Sequence, residues 1–95
     1  MIKTQLEIFK EISPNKPDWI IQIVFTHELS TVYGTKEYTS GLCESYCNLI
    51  DMSEEYNWDK CDIIQCTIYS NKAIVPITGI NGLKLSQFVK LVKEI

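Results

Sequence analysis

The sequence contains no arginine. All nine of its basic residues are lysines, set against twelve carboxylates for a net charge of −3. Arginine is the side chain that grips phosphate, guanine or carboxylate through two parallel hydrogen bonds. A mildly acidic chain without it is a poor nucleic-acid binder, because affinity there comes mainly from neutralising phosphates. Long apolar runs are also missing, and none approaches the roughly 20 residues needed to cross a bilayer. The opening Met1-Ile-Lys-Thr-Gln-Leu-Glu7 has neither the apolar core nor the cleavage site of a signal peptide. The expected location is the cytoplasm, of a bacterium or of a virus-infected host cell, with no membrane partner. There is no repeat, linker or low-complexity tract, so the 95 residues are expected to make one globular domain, 1–95.

A hydrophobic share of 45% against 22% charged residues is that of an ordinary globule. Its centre is Asp18-Trp-Ile-Ile-Gln-Ile-Val-Phe-Thr26. In an extended chain Trp19, Ile21, Ile23 and Phe25 share one face, and Ile20, Gln22, Val24 and Thr26 the other. One apolar and one mixed face predict an interior strand covered by helices on one side only. Residues 2–12 alternate too, with Ile2, Leu6, Ile8 and Ile12 on one side and only Phe9 out of step, which predicts a half-buried strand. Ser13-Pro-Asn-Lys-Pro-Asp18 turns that strand back antiparallel.

Ser30–Thr39 is rich in β-branched and aromatic residues and predicts a third strand, with a bulge or close backbone approach at Gly34. Ser40 and Gly41 resemble a helix start, and Leu42, Cys43, Tyr46, Cys47, Leu49 and Ile50 fall on one helical stripe. Ser53–Asp59 is a last turn or a separate short piece. Asp62–Tyr69 predicts a fourth strand, with Ile64, Cys66 and Ile68 on one face and Ile63, Gln65, Thr67 and Tyr69 on the other. Ser70–Lys72 turns into a fifth at Ala73–Ile77, which Pro76 confines to an edge. Leu85, Phe88, Val89, Val92 and Ile95 mark a C-terminal amphipathic helix. The expected fold is α+β: order β-β-β-α-β-β-α, a largely antiparallel sheet of about five strands, and two helices on one face. The other sheet face is left half-apolar.

Candidates for chemistry are few. Cys43-x3-Cys47 and Cys61-x4-Cys66 loosely resemble a zinc layout, but compact zinc sites favour two intervening residues. Cys43, Cys47 and Cys66 are expected to be small core residues, so no metal and no cofactor is expected. His27, the one histidine, forms a conceivable nucleophile–base pair with Cys66, yet nothing suggests a third residue to orient it and no oxyanion loop follows. No catalytic residue is assigned. Gly79-Ile-Asn-Gly82 precedes a helix but lacks the lysine and hydroxyl of a phosphate loop; it is expected to need backbone freedom only.

The remaining feature is charge. Six of the twelve acids lie between Glu44 and Asp62, opposed only by Lys60, with Tyr56 and Trp58 among them. Aromatics at a charged surface are enriched in protein interfaces. Glu54, Glu55, Tyr56, Trp58, Asp59 and Asp62 are therefore the expected contact with a partner protein bearing a basic surface. The alternative for this segment is a solvated face with Trp58 folded back onto the core. Size and charge suit a non-enzymatic inhibitor, of the kind found among immunity proteins, antitoxins and phage-encoded anti-defence proteins. A homodimer through the open sheet face is also expected. The second functional class is a small-molecule or nucleotide binder with a pocket at a dimer seam around Tyr33, Tyr38, Tyr69 and the 79–82 loop.

Overall fold

The structure is a computed structural model; it describes residues 1–55 and 58–95, with the side chains of 53–55 outside that description. Three helices and four strands follow in the order α1 (Ile2–Ile12), β1 (Ile20–Thr31), β2 (Gly34–Ser45), α2 (Tyr46–Glu55), β3 (Asp62–Tyr69), β4 (Ile74–Ile77) and α3 (Leu85–Glu94). Short 3₁₀ turns stand at Lys16–Asp18 and Trp58–Lys60. The sheet is fully antiparallel with strand order β2-β1-β3-β4. The class is α+β, as the sequence predicts, with one strand fewer and one helix more.

The difference begins at residue 2. Ile2–Ile12 is a helix, because Ile2, Leu6 and Phe9 recur at spacings of four and three and so share one helical face. Leu6 and Phe9 are fully buried, while Ile8 and Ile12 stay half-exposed. The apparent alternation was a coincidence of spacing, and Phe9, the residue that broke it, carries the packing. Its ring meets Trp19 edge-on at 4.9 Å. Pro14 then disfavours helical geometry at Ser13 and ends the helix. The Trp19 Nε1–H donates to the Ser13 carbonyl at 2.8 Å, closing the connector over the core. Gln5 secures the other flank: its amide donates to the Thr78 carbonyl and accepts from the Thr78 N–H, both at 2.9 Å.

β1 keeps its predicted faces but runs on past Thr26 to Thr31, taking Ser30 and Thr31 from the expected third strand. Trp19, Ile21 and Ile23 have no exposed surface, whereas Ile20 and Gln22 are exposed. An interior strand must satisfy main-chain groups on both sides, and β2 does this along the whole of Ile20–Thr31. That requirement overrides the helical stripe predicted from residue 42. Leu42 faces the core opposite Ile23, and Cys43 lies opposite Gln22 on the outer face. Helix α2 starts only at Tyr46, with the Ser45 hydroxyl accepting from the Asn48 N–H at 3.3 Å. The cap is Ser45 rather than Ser40.

β3 carries a second correction. The register steps from Val24↔Gln65 to Phe25↔Ile63, leaving Ile64 as a bulge. Ile63 is thereby buried and Ile64 half-exposed, the reverse of simple alternation. β4 is the edge strand that Pro76 foretold, and α3 buries Leu85, Phe88, Val89 and Val92. Buried residues from all three helices join those of one sheet face in a single cluster.

Lys16 ties the two ends of the chain together. Its ammonium donates to the main-chain oxygens of Val92 at 3.2 Å and Ile95 at 2.8 Å and stands 5.2 Å from the Tyr46 ring centroid. A cation at a helix C-terminus answers both unpaired carbonyls and the helix dipole. Lys16→Met keeps the aliphatic stem and removes the charge, and urea unfolding is expected to show a loss of about 1–2 kcal/mol.

Candidate functional site

The β1–β2 hairpin is longer than the sheet that supports it. β3 pairs with β1 only as far as Thr26↔Asp62, so His27–Thr31 and Gly34–Tyr38 run on as a two-stranded arm. The molecule is accordingly elongated, 48 × 25 × 21 Å. A two-residue loop, Val32-Tyr33, closes the arm. The Thr31 hydroxyl accepts from the Tyr33 N–H at 3.3 Å and donates to the Gly34 carbonyl at 2.6 Å. Gly34 has φ of +122°, a conformation open to glycine and costly for other residues. It belongs to the turn and not to a mid-strand bulge.

The two faces of the arm differ. On the core side, His27 stacks on its cross-strand partner Tyr38 with centroids 5.9 Å apart, and Phe25 lies 5.9 Å from His27. The Ser40 hydroxyl sits 3.2 Å from His27 Nδ1. Leu29 extends this apolar strip outward, half-exposed. At the tip, Val32 is 96% exposed and Tyr33 93%. The outer face carries Glu28 directly opposite Glu37, both exposed. A two-residue loop makes Thr31↔Gly34 a hydrogen-bonded pair, so alternation makes Glu28↔Glu37 a non-hydrogen-bonded one, with Cα atoms about 4.5 Å apart. Like charges facing each other at that range destabilise a hairpin.

Asp62, the last residue of the acidic segment, lies at the root of the arm, since β3 begins there opposite Thr26. Glu54 and Glu55 end α2, with side chains outside the description, and Tyr56 lies outside the described residues altogether. Trp58 is half-buried and packs against the core cluster. Asp59 is exposed, and the Asp62 carboxylate pairs with Lys84 at 2.6 Å. Of the six residues, Trp58 and Asp62 therefore have roles inside the fold. Sequence reasoning places Tyr33 only in a ligand pocket and passes over Leu29, Val32, Glu28 and Glu37, because Val-Tyr-Gly lacks the Asn-Gly or Asp-Gly signature of a tight hairpin. The one available signal was Gly34 closing a run of β-branched residues.

The thiols are dispersed. Cys43 and Cys47 are exposed, Cys61 half-buried and Cys66 buried, so the expectation of core packing holds for Cys66 and fails for Cys43 and Cys47. Cys43 moved to the outer face when its segment became strand, and it sits 2.8 Å from the Tyr69 hydroxyl. That hydrogen bond holds the Tyr69 phenol protonated above its ordinary range. Among the described residues no three His, Cys, Asp or Glu side chains are grouped to hold a metal. Cys66 faces Ile23, while His27 is four residues further along β1 and beyond the end of β3, about 13 Å away along the strand. Cys66 and His27 are therefore no nucleophile–base pair. Burial pushes the Cys66 thiol up from 9.0 to about 12, which keeps it un-ionised near neutrality.

A thiol reagent at pH 8 is expected to label Cys43 and Cys47 promptly and Cys66 only as the protein unfolds. The pH dependence has a definite sign. Below pH 9 Cys66 is protonated in both states; above it the unfolded chain ionises first, so stability is lost as pH rises from 9 toward about 12. Urea midpoints at pH 8 and pH 10.5 should differ more for the native protein than for Cys66→Ala.

The three tyrosines share no pocket, although Tyr69, with Asp18, Ile20, Ser70 and Asn71, borders an open hollow of about 500 Å³. Tyr69 lies opposite Ile20, whereas Tyr33 closes the far end of β1, about 37 Å away. On the open sheet face Gln22, Val24, Gln65 and Thr67 line a dent of about 50 Å³, far below the few hundred Å³ of a ligand site. No described helix is long and apolar enough to cross a membrane. What the geometry offers is a projecting arm, acidic on one face and aromatic on the other, with Asp62 at its base. Among family models, curated proteins and solved structures, none matches this chain.

Proposed function

We propose that the protein is a non-enzymatic binding protein that inhibits or neutralises a basic protein partner, gripping it with the β1–β2 arm and the acidic segment at its root. The exposed tip carries this reading. Val32 and Tyr33 stand clear of the fold, where they contribute nothing to the stability of the free protein. A two-stranded ribbon is marginal on its own, and the facing glutamates weaken it further. All three features are resolved by one kind of partner, with an apolar pocket for the tip and lysines or arginines beside it. Aromatic anchors surrounded by charge complementarity are how small inhibitors combine affinity with fast association. Glu54, Glu55 and Asp59 would extend the acidic field beside Trp58 and Asp62, and Tyr56 belongs to the same stretch of sequence. An anti-defence or immunity-type inhibitor is the class that fits.

The test is paired capture from host extract, followed by salt titration of whatever is retained. A basic protein should be held by the native chain and released as salt rises from 50 to 500 mM, an interval over which screening shortens to a few Å. Retention that ignores salt, or that survives Glu28→Lys with Glu37→Lys, would overturn the electrostatic part of the proposal.

A further inference from the structure

The two edges of the sheet are built differently. β4 has four residues and contains Pro76, the usual devices for blunting an edge. β2 has twelve, with no proline, and its outer edge pairs with no other strand among the described residues. Because Thr31↔Gly34 is a hydrogen-bonded pair, the even-numbered residues of β2 turn their main-chain groups toward β1. Thr35, Glu37, Thr39, Gly41 and Cys43 therefore present their N–H and C=O groups outward. Such an edge is a template for another strand.

The geometry points to a homodimer in which the β2 edges of two copies pair antiparallel about a two-fold axis through Ser40, making one continuous eight-stranded sheet. An axis perpendicular to the sheet keeps faces matched, so paired residue numbers must sum to an even value. Sums of 78 and 80 both retain eleven paired strand residues. The choice between them is made by charge. At 80, Lys36 of each copy stands opposite Glu44 of the other, and Tyr38 opposite Leu42. At 78, Lys36 faces Leu42 and Glu44 faces Gly34. In the sum-80 register these are non-hydrogen-bonded pairs, where side chains approach closest.

This pairing also covers what the monomer leaves bare. Tyr38 and Leu29 lie on the helix side of the arm, half-exposed, with no helix of their own above them. α2 stands over β1 and β2 on that side, so the second copy brings its α2 alongside the arm. The tips lie at opposite ends of the joined sheet, each beside the start of the other copy's α2.

Light scattering should give twice 11.0 kDa, with the five outward amides exchanging slowly in the dimer and quickly on dilution. Lys36→Glu sets two like-charge pairs against each other and should weaken association about tenfold. Adding Glu44→Lys should restore it. Thr39→Pro removes one outward N–H without touching the β1 ladder and should give a folded monomer. A native protein that stays monomeric at millimolar concentration overturns the inference. So does a dimer whose edge amides stay fast, which would be joined through the open sheet face, or one indifferent to the charge reversal.

Discussion

Trp19→Ala is expected to leave the protein unfolded, or nearly so, at 25 °C. Trp19 has no exposed surface, meets Phe9 at 4.9 Å and Tyr46 at 6.4 Å, and donates its indole N–H to Ser13. It thus joins α1, β1 and α2. Truncating a buried tryptophan costs about 3–5 kcal/mol, and leaving the Ser13 carbonyl buried and unpaired adds about 1–3. A domain of this size holds about 5–14 kcal/mol in total. Trp19→Phe retains most of the packing and should remain folded with a lowered urea midpoint. Circular dichroism with urea titration checks both; a Trp19→Ala protein with native midpoint would mean that α1 is not held by this contact.

The second large effect concerns the tip. Val32→Ser with Tyr33→Ser should leave stability within about 0.5 kcal/mol, since surface substitutions away from packing rarely do more. Binding to the partner should fall at least about 30-fold, because a fully desolvated aromatic anchor is worth about 2 kcal/mol or more. Calorimetry with the captured partner reads the affinity, and thermal unfolding of the free variant reads the fold. An unchanged affinity would remove the arm tip from the interface. Separately, Glu54→Lys, Glu55→Lys and Trp58→Ala together test the acidic root. Trp58 also packs on the core, so the two glutamate changes alone are the cleaner measurement.

Where the sequence pattern was long and unambiguous it told the fold correctly. β1 and helix α3 each have a periodicity that only one element satisfies, and Pro76 marks the short edge strand. It misled where two periods overlap. Ile2, Leu6, Ile8 and Ile12 satisfy an alternating strand as well as Ile2, Leu6 and Phe9 satisfy a helix, and only the fit of Phe9 against Trp19 decides. Residues 40–45 have a helical stripe, but the hydrogen-bonding needs of β1 extend β2 through them. The bulge at Ile64 is invisible to any counting rule, because it shifts faces by a single residue. The arm was the hardest feature to read. Its length depends on where β3 begins, which no residue in the arm encodes.

The most direct test is a hydrogen-exchange footprint of the protein bound to its captured partner. Protection is predicted over residues 27–38 and 54–62, the arm and the segment at its root, with the amides around Gln22 and Gln65 on the open face unchanged. A footprint confined to that open face, with the arm exchanging as in the free protein, would contradict the account.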